Sequence, residues 1–250
     1  MVTLPDGYQE RTPRDIDMVA RLADRYKNAA SVMPRSQRNI YQNLVTKMRE
    51  RVELYRGFPK QIHKPTVVDV GCGLGIGSNI LSQESQFVWG IDSNPDTIEF
   101  ARQMFERQPN NIYYTPQLSF DVVDALADDR GFMTFDFVVC VEVIEHIPAA
   151  SALELVKFLN RLFKRDKSGA YLETPERTVA YISTPNRNHP DLGDTTPNNE
   201  HHCYEATPGE MYEFLTKQYK SVTIMDEHLI PQDLDTIASP LVYKVEMPYV

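Results

Sequence analysis

Three cysteines in 250 residues, Cys72, Cys140 and Cys203, are too few and too far apart to staple a small disulfide-built fold. Their odd number suits a reducing compartment. No apolar run approaches the roughly 18 residues of a membrane-spanning helix, and the opening MVTLPDGYQERTPRD lacks the apolar core of a signal peptide. Internal repeats and low-complexity tracts are absent as well. Apolar residues are not scarce, at 42% of the chain, so a disordered protein is excluded. The expectation is a soluble, cytoplasmic protein with one sizeable core.

Acidic residues are thin only at the front. Positions 1–65 hold seven Asp and Glu against thirteen Lys and Arg, a net +6, while the remainder carries −15. An acidic body is a poor partner for a phosphate backbone, whereas a basic leading segment suits one. A pair of ordinary solvated helices would give the same signature.

Apolar residues recur at helical spacing over 12–30 and 35–57, with Pro34 between the two stretches. These are expected to form an N-terminal helical cap over residues 1–60, joined by RGFPKQIHKP to a second unit at 61–250. From Thr66 the pattern changes to short apolar runs: 66–70, 87–92, 120–124, 135–142, 179–184, 222–226 and 241–247. Helical segments are expected at 75–83, 95–107, 150–164 and 207–218. Strands alternating with helices imply right-handed crossovers and an α/β fold with a doubly wound, mostly parallel, seven-stranded sheet. The last two strands lack a helix between them, which suits an antiparallel end to the sheet.

The densest motif is VVDVGCGLGIGSNIL followed by VWGIDSNPDTI. A buried strand runs into Gly71, Gly73 and Gly75, and a helix follows at once. Such glycines let the chain turn sharply and let a ligand approach the backbone. Asp92 ends the next strand, where a carboxylate can accept from both hydroxyls of a ribose. Dinucleotide sites space their glycines as G-x-G-x-x-G; here the spacing is G-x-G-x-G, with Asp69 beside the loop. An acid there is unwelcome near pyrophosphate and suits a cationic ligand. In these residues the chain resembles the class I S-adenosylmethionine-dependent methyltransferases over about 60–250. The resemblance implies Asp69 and the loop Gly71, Cys72, Gly73 and Gly75 around the methionine part of S-adenosylmethionine. It also implies Asp92 and Ser93 at the ribose, and Asp124 and Ala125 near the adenine.

The fourth strand leads into CVEVIEHIP. A helix starting at Glu142 would place Glu142, Glu145 and His146 at i, i+3 and i+4, on one face. Two carboxylates and an imidazole suit a divalent ion such as Mg, Mn or Zn. After the fifth strand a long Pro- and Asn-rich loop carries His201 and His202 and ends at Thr207, an N-cap with Glu210 three residues on. His202 is the expected fourth member of the site. The constellation resembles that of the small-RNA 3′-end 2′-O-methyltransferases, whose later stretch resembles His-x-Phe-Glu-x-Thr; here it reads His202-Cys203-Tyr204-Glu205-Ala206-Thr207. It also resembles the ubiquinone-type O-methyltransferases. Glu145, His146 and His202 are the candidate catalytic groups, as metal ligands or as general base.

Two further absences narrow the chemistry. No Asp/Asn-Pro-Pro-aromatic stretch follows the fourth strand, where exocyclic base amines would be held, and no Pro-Cys nucleophile is present. The primary expectation is O-methylation of a small-molecule or glycan-like acceptor, with a divalent ion assisting. The alternatives are an RNA or nucleotide 3′ end gripped by the basic helices through Arg35, Arg38, Lys47 and Arg49, and a non-catalytic S-adenosylmethionine-binding module.

Overall fold

A computed structural model of the chain describes residues 1–10, 33–54, 64–106, 118–128, 133–172, 177–190, 197, 199 and 201–249. The helix expected over 12–30 lies outside the described residues. The elements are α1 (Arg35–Leu54), β1 (Thr66–Val70), α2 (Ile76–Leu81), β2 (Phe87–Asp92), α3 (Pro95–Ala101), β3 (Leu118–Val122), β4 (Phe137–Val141), α4 (Ala152–Arg161), β5 (Val179–Thr184), α5 (Pro208–Thr216), β6 (Tyr219–Met225) and β7 (Leu241–Pro248). A π turn at Arg102–Glu106 continues α3, and two 3₁₀ turns, Ile144–His146 and Ala149–Ser151, bridge β4 to α4.

All seven strands form one sheet in the order β3-β2-β1-β4-β5-β7-β6. The first five pair in parallel, and β7 runs antiparallel to both β5 and β6. The expected doubly wound sheet with an antiparallel end is therefore present. Strand order reverses between β1 and β4, and in open α/β sheets the crevice at the carboxyl ends beside such a reversal is where ligands bind.

Both faces of the sheet are covered, so strand residues are apolar in runs and split between two cores. Val68, Val70, Val138, Cys140, Ala180 and Ile182 face one side with Leu155, Phe158, Leu159, Met211 and Phe214 from α4 and α5. Val67, Val139, Val141 and Tyr181 face the other with Leu81, Ile98 and Ala101. Helix starts are locally encoded. Asn94 accepts the amides of Asp96 and Thr97 ahead of Pro95, and Thr207 forms the expected capping box with Glu210 ahead of Pro208.

Of the segment expected as an N-terminal cap, α1 packs directly on the sheet. Ile40, Tyr41, Leu44 and Met48 of α1 are buried in the second core with strand residues, so this helix covers one face of the sheet. The apolar stripe that suggested a helix was the face it needed for that packing. The contact with α2 is close enough to require a hydrogen at position 77, since a Cβ on Gly77 would lie 2.1 Å from Cζ of Tyr41. Gly77→Val should therefore lower stability by about 2 kcal/mol through overpacking, read as a lower melting temperature with unchanged helix and strand content by circular dichroism.

Candidate functional site

Two clusters meet at the reversal point. The first is the loop after β1. Gly71, Gly73 and Gly75 adopt φ of 71°, 52° and 77°, the left-handed region where side-chain-bearing residues are strained. The amides of Gly71 and Cys72 both donate to the Ile91 carbonyl, at 2.8 and 2.9 Å, which ties the loop to the end of β2. Gly73 differs from its neighbours: among the described residues nothing lies within 4 Å of where its Cβ would stand. It presents bare backbone to open space, and a side chain there would fill a cradle.

Asp92 closes this cradle. Its Oδ2 accepts the Gly73 amide at 2.9 Å and its Oδ1 the Asn94 amide at 2.9 Å. Burial raises its pKa against the lowering effect of those amides. Asp69 is fully buried beneath the loop, with both oxygens engaged: Ser78 Oγ donates at 2.6 Å and Tyr41 Oη at 3.1 Å. It joins the loop, α2 and α1 from below. At the end of β3 Asp121 is held by Trp89 and Arg102. Asp124 is exposed and accepts the Leu126 amide in a turn. Ser93 is exposed and Ala125 half-buried. Cys72, Cys140 and Cys203 are free thiols, all buried.

The Asp69 carboxyl has its pKa raised to about 7, first by burial and then by the charge of Asp92, against the hydroxyls of Ser78 and Tyr41. Its unfolded value is about 4, so the folded state keeps a proton that the unfolded chain has lost. That contribution to stability is complete below the unfolded value and disappears as pH rises through about 7. The melting temperature should therefore fall between pH of about 4 and about 7, and Asp69→Asn should flatten part of that fall. Asp92 and Glu142 share the sign and would retain the remainder.

The second cluster follows β4 and touches the first. A Cβ on Gly71 would come within 2.4 Å of Val143 Cγ2, so the glycine loop packs directly on the Glu142–His146 segment. The helix expected to start at Glu142 is absent. Glu142 takes a left-handed φ of 55°, and a single 3₁₀ turn begins at Ile144. Ser183 stabilises this conformation: its carbonyl and hydroxyl accept the Glu142 amide, and its hydroxyl donates to Glu142 Oε1 at 2.8 Å. Glu142 thereby turns toward β5. It falls outside the group formed by Glu145, His146 and His202, whose ligand atoms all lie within 4.8 Å of one another.

Each member of that group is prepared from behind. His146 Nδ1 lies 2.9 Å from the His201 carbonyl, which can only accept, so Nδ1 carries the proton and Nε2 is bare. His202 Nδ1 lies 2.7 Å from Glu205 Oε1, which assigns the same tautomer, and its Nε2 is 3.1 Å from the Asn199 amide nitrogen. The two rings meet edge to face with centroids 4.9 Å apart. Burial, with the neighbouring His202 and His201, lowers the His146 pKa to about 4, so its imidazole is neutral at ordinary pH. Glu145 is fully buried and, among the described residues, neither carboxylate oxygen has a hydrogen-bond partner of good geometry, with the Thr184 hydroxyl close enough to lower its pKa slightly. Burial and then the charge of Glu142 hold its pKa well above the usual carboxylate range. Glu142 is itself raised to about 7 by burial, with Glu205 adding repulsion. A buried carboxylate without a partner is costly, and here it stands beside two imidazole lone pairs. A cation placed between them would satisfy Glu145 and His146 and would take the place of the Asn199 amide at His202 Nε2.

Sequence reasoning missed Glu205 as a site residue. It is fully buried and supplies the acceptor that orients His202. Its signal was the spacing His202-x-x-Glu205 inside the stretch already singled out. Cys203 and Tyr204, which lie between them, are buried core residues.

The comparisons with known proteins follow this geometry. A family model described as a methyltransferase domain matches residues 37–217. The chain is 35% identical over 82 residues to a ubiquinone biosynthesis O-methyltransferase of Coxiella burnetii, covering 33% of this chain and 32% of that enzyme. It is 32% identical over 117 residues to the enzyme of the same description from Haemophilus ducreyi, covering 46% and 48%. The match thus spans between a third and a half of these relatives. Among solved structures, the small RNA methyltransferase HEN1 superposes with a TM-score of 0.56 at 20% identity, over 79% of this chain and 25% of that one, a likeness of fold.

Proposed function

The chain belongs to the class I S-adenosylmethionine-dependent methyltransferases, and from that membership we propose that it methylates a hydroxyl oxygen of a small-molecule or glycan-like acceptor, with a divalent ion held by Glu145, His146 and His202. The observation that carries the reading is the buried Glu145 carboxylate, without a hydrogen-bond partner among the described residues, beside two imidazoles that carry no proton at Nε2, the Nε2 of His202 meeting the Asn199 amide. The O-methyltransferase relatives support oxygen as the acceptor atom.

S-adenosylmethionine supplies an electrophilic methyl on a sulfonium. The residues suited to hold it are Gly73, whose missing side chain leaves room, Asp92 at the ribose, and Asp124 with Ala125 and Ser93 around the nucleoside. Asp69 acts from beneath the loop by keeping its shape. A divalent ion in the second cluster would lower the pKa of a hydroxyl brought to it. Imidazole-rich donors favour Mn²⁺ or Zn²⁺ over Mg²⁺. Glu145 balances the ion's charge. His146 and His202 contribute neutral lone pairs, and the buried setting strengthens every electrostatic interaction among them. In the absence of an ion, Nε2 of either histidine is placed to take the hydroxyl proton as general base.

An RNA 3′ end as acceptor has less support. Of the four basic residues expected to clamp RNA, Lys47 pairs with Glu50 at 2.9 Å and Arg49 with Glu84 at 3.1 Å, which spends their charge within the protein. Protein stripped with EDTA should lose methylation of dihydroxybenzoate and regain it with Mn²⁺, and should leave a short single-stranded RNA unmodified. Turnover untouched by the chelator would sink the metal proposal. Preferential RNA methylation would reverse the order of the two acceptors.

A further inference from the structure

We propose that residues 1–10 are a brace of this site, and that Tyr8 is the positioning residue that holds Glu205 in line with His202. The inference rests on the reading of His202 as ligand or base. The segment is not loosely attached. Val2 is 2% exposed within the first core, and Leu4 and Tyr8 pack against the same cluster. The Tyr8 amide donates to the Pro5 carbonyl, and Gly7 takes a φ of 83°, so a tight turn presents the Tyr8 side chain. The Glu10 carboxylate then accepts the Ala149 amide, anchoring the segment on the far side of the His146 turn.

Glu205 is held at both of its backbone polar groups from this side. Its amide donates to the Tyr8 hydroxyl at 2.8 Å, across 197 positions of sequence. Its carbonyl accepts from Arg187 Nη1 at 3.0 Å. The Arg187 guanidinium lies over the Tyr8 ring, 4.9 Å from its centroid, and its other arm reaches Glu210 Oε1 at 2.6 Å. Glu210 caps α5 through its second oxygen, which accepts the Thr207 amide. With both backbone groups fixed, the Glu205 Cα is set where its side chain makes the 2.7 Å contact with His202 Nδ1. Apolar packing alone would be served by phenylalanine at position 8. The hydroxyl is what reaches the Glu205 amide, and through it the tautomer of His202 is secured.

The test compares wild type, Tyr8→Phe, Glu205→Gln and the double variant. Long-range ¹H–¹⁵N spectra read the His202 tautomer directly, with His202→Gln identifying the signal, and calorimetry reads Mn²⁺ and S-adenosylmethionine affinity. In wild type the proton should reside on Nδ1. Tyr8→Phe should mix the tautomers and weaken Mn²⁺ binding about tenfold, the lower end for residues behind a ligand. Glu205→Gln should weaken it about tenfold to a hundredfold, and Tyr8→Phe should add little in that background. S-adenosylmethionine affinity should stay within about twofold throughout, because the glycine loop is untouched. An unchanged tautomer and unchanged Mn²⁺ affinity in Tyr8→Phe would overturn the brace. So would a uniform loss of both ligands with a fallen melting temperature, which marks mere packing. A wild type that takes up no Mn²⁺ removes the metal reading alone, and the tautomer comparison still decides the brace.

Discussion

If the proposed ion binds, Glu145→Gln should abolish its uptake and lower methyl transfer by about a thousandfold, since several kcal/mol of charge stabilisation would depend on it. In the metal-free protein it should raise the melting temperature. Both effects come from one fact: the carboxylate is fully buried and neither oxygen is hydrogen-bonded among the described residues. Its pKa stands well above the usual carboxylate range, through burial and the charge of Glu142. The folded state therefore favours the protonated form, and that stability is lost as pH rises through the raised folded value. Glutamine carries no charge to desolvate. Chelated wild type and chelated Glu145→Gln, melted at pH of about 8, should differ in favour of the variant. Adding Mn²⁺ should stabilise wild type alone. A residue whose removal helps the fold and ruins turnover is retained for chemistry. Equal melting of both proteins with unchanged turnover would remove Glu145 from the site.

Asp92→Ala should weaken S-adenosylmethionine binding by about a hundredfold or more, corresponding to loss of two hydrogen bonds to a charged group at about 1.5–3 kcal/mol each. Asp92 acts twice. Its Oδ2 already fixes the Gly73 amide, and the carboxylate sits at the end of β2 where ribose hydroxyls can donate to it. Asp92→Asn separates the roles, because an amide oxygen can still accept from Gly73 while the charge is gone; it should bind about tenfold more weakly than wild type. Calorimetry with S-adenosylmethionine and its demethylated product measures both. Mn²⁺ uptake should persist in either variant, since Glu145, His146 and His202 are held by His201, Glu205 and the 3₁₀ turn. Full cofactor affinity in Asp92→Ala would displace the nucleoside site from this end of the sheet.

The cofactor end was legible because its determinants are local. β1, β2 and β5 coincide with the runs TVVDV, FVWGID and VAYIST. Each is a short, β-branched stretch bounded by turn-forming residues. The capping box at Thr207 and the three left-handed glycines are likewise decided within a few positions. The EVIEH stretch takes a conformation other than the helix expected of it, and Glu142 leaves the group that Glu145 and His146 form with His202. Helical spacing assumed a backbone that Ser183, 41 positions later, pulls into the left-handed region at Glu142. Nothing adjacent to Glu142 announces that partner.

What the amino-acid order determined on its own was the alternation of strands and helices, the glycine loop with its acid at Asp92, and the residue types of the second cluster. The tertiary structure alone decided which of those types converge. It selected Glu145, His146 and His202, set Glu142 toward β5, and brought Glu205 and Tyr8 behind His202 from opposite ends of the chain. It also made α1 a layer of the sheet's core. The physical reason is the range of the forces. Periodicity, capping and backbone preference act over one or two turns, whereas the pairing of buried polar groups is settled only when folding removes water and each group must take the partner that packing leaves beside it.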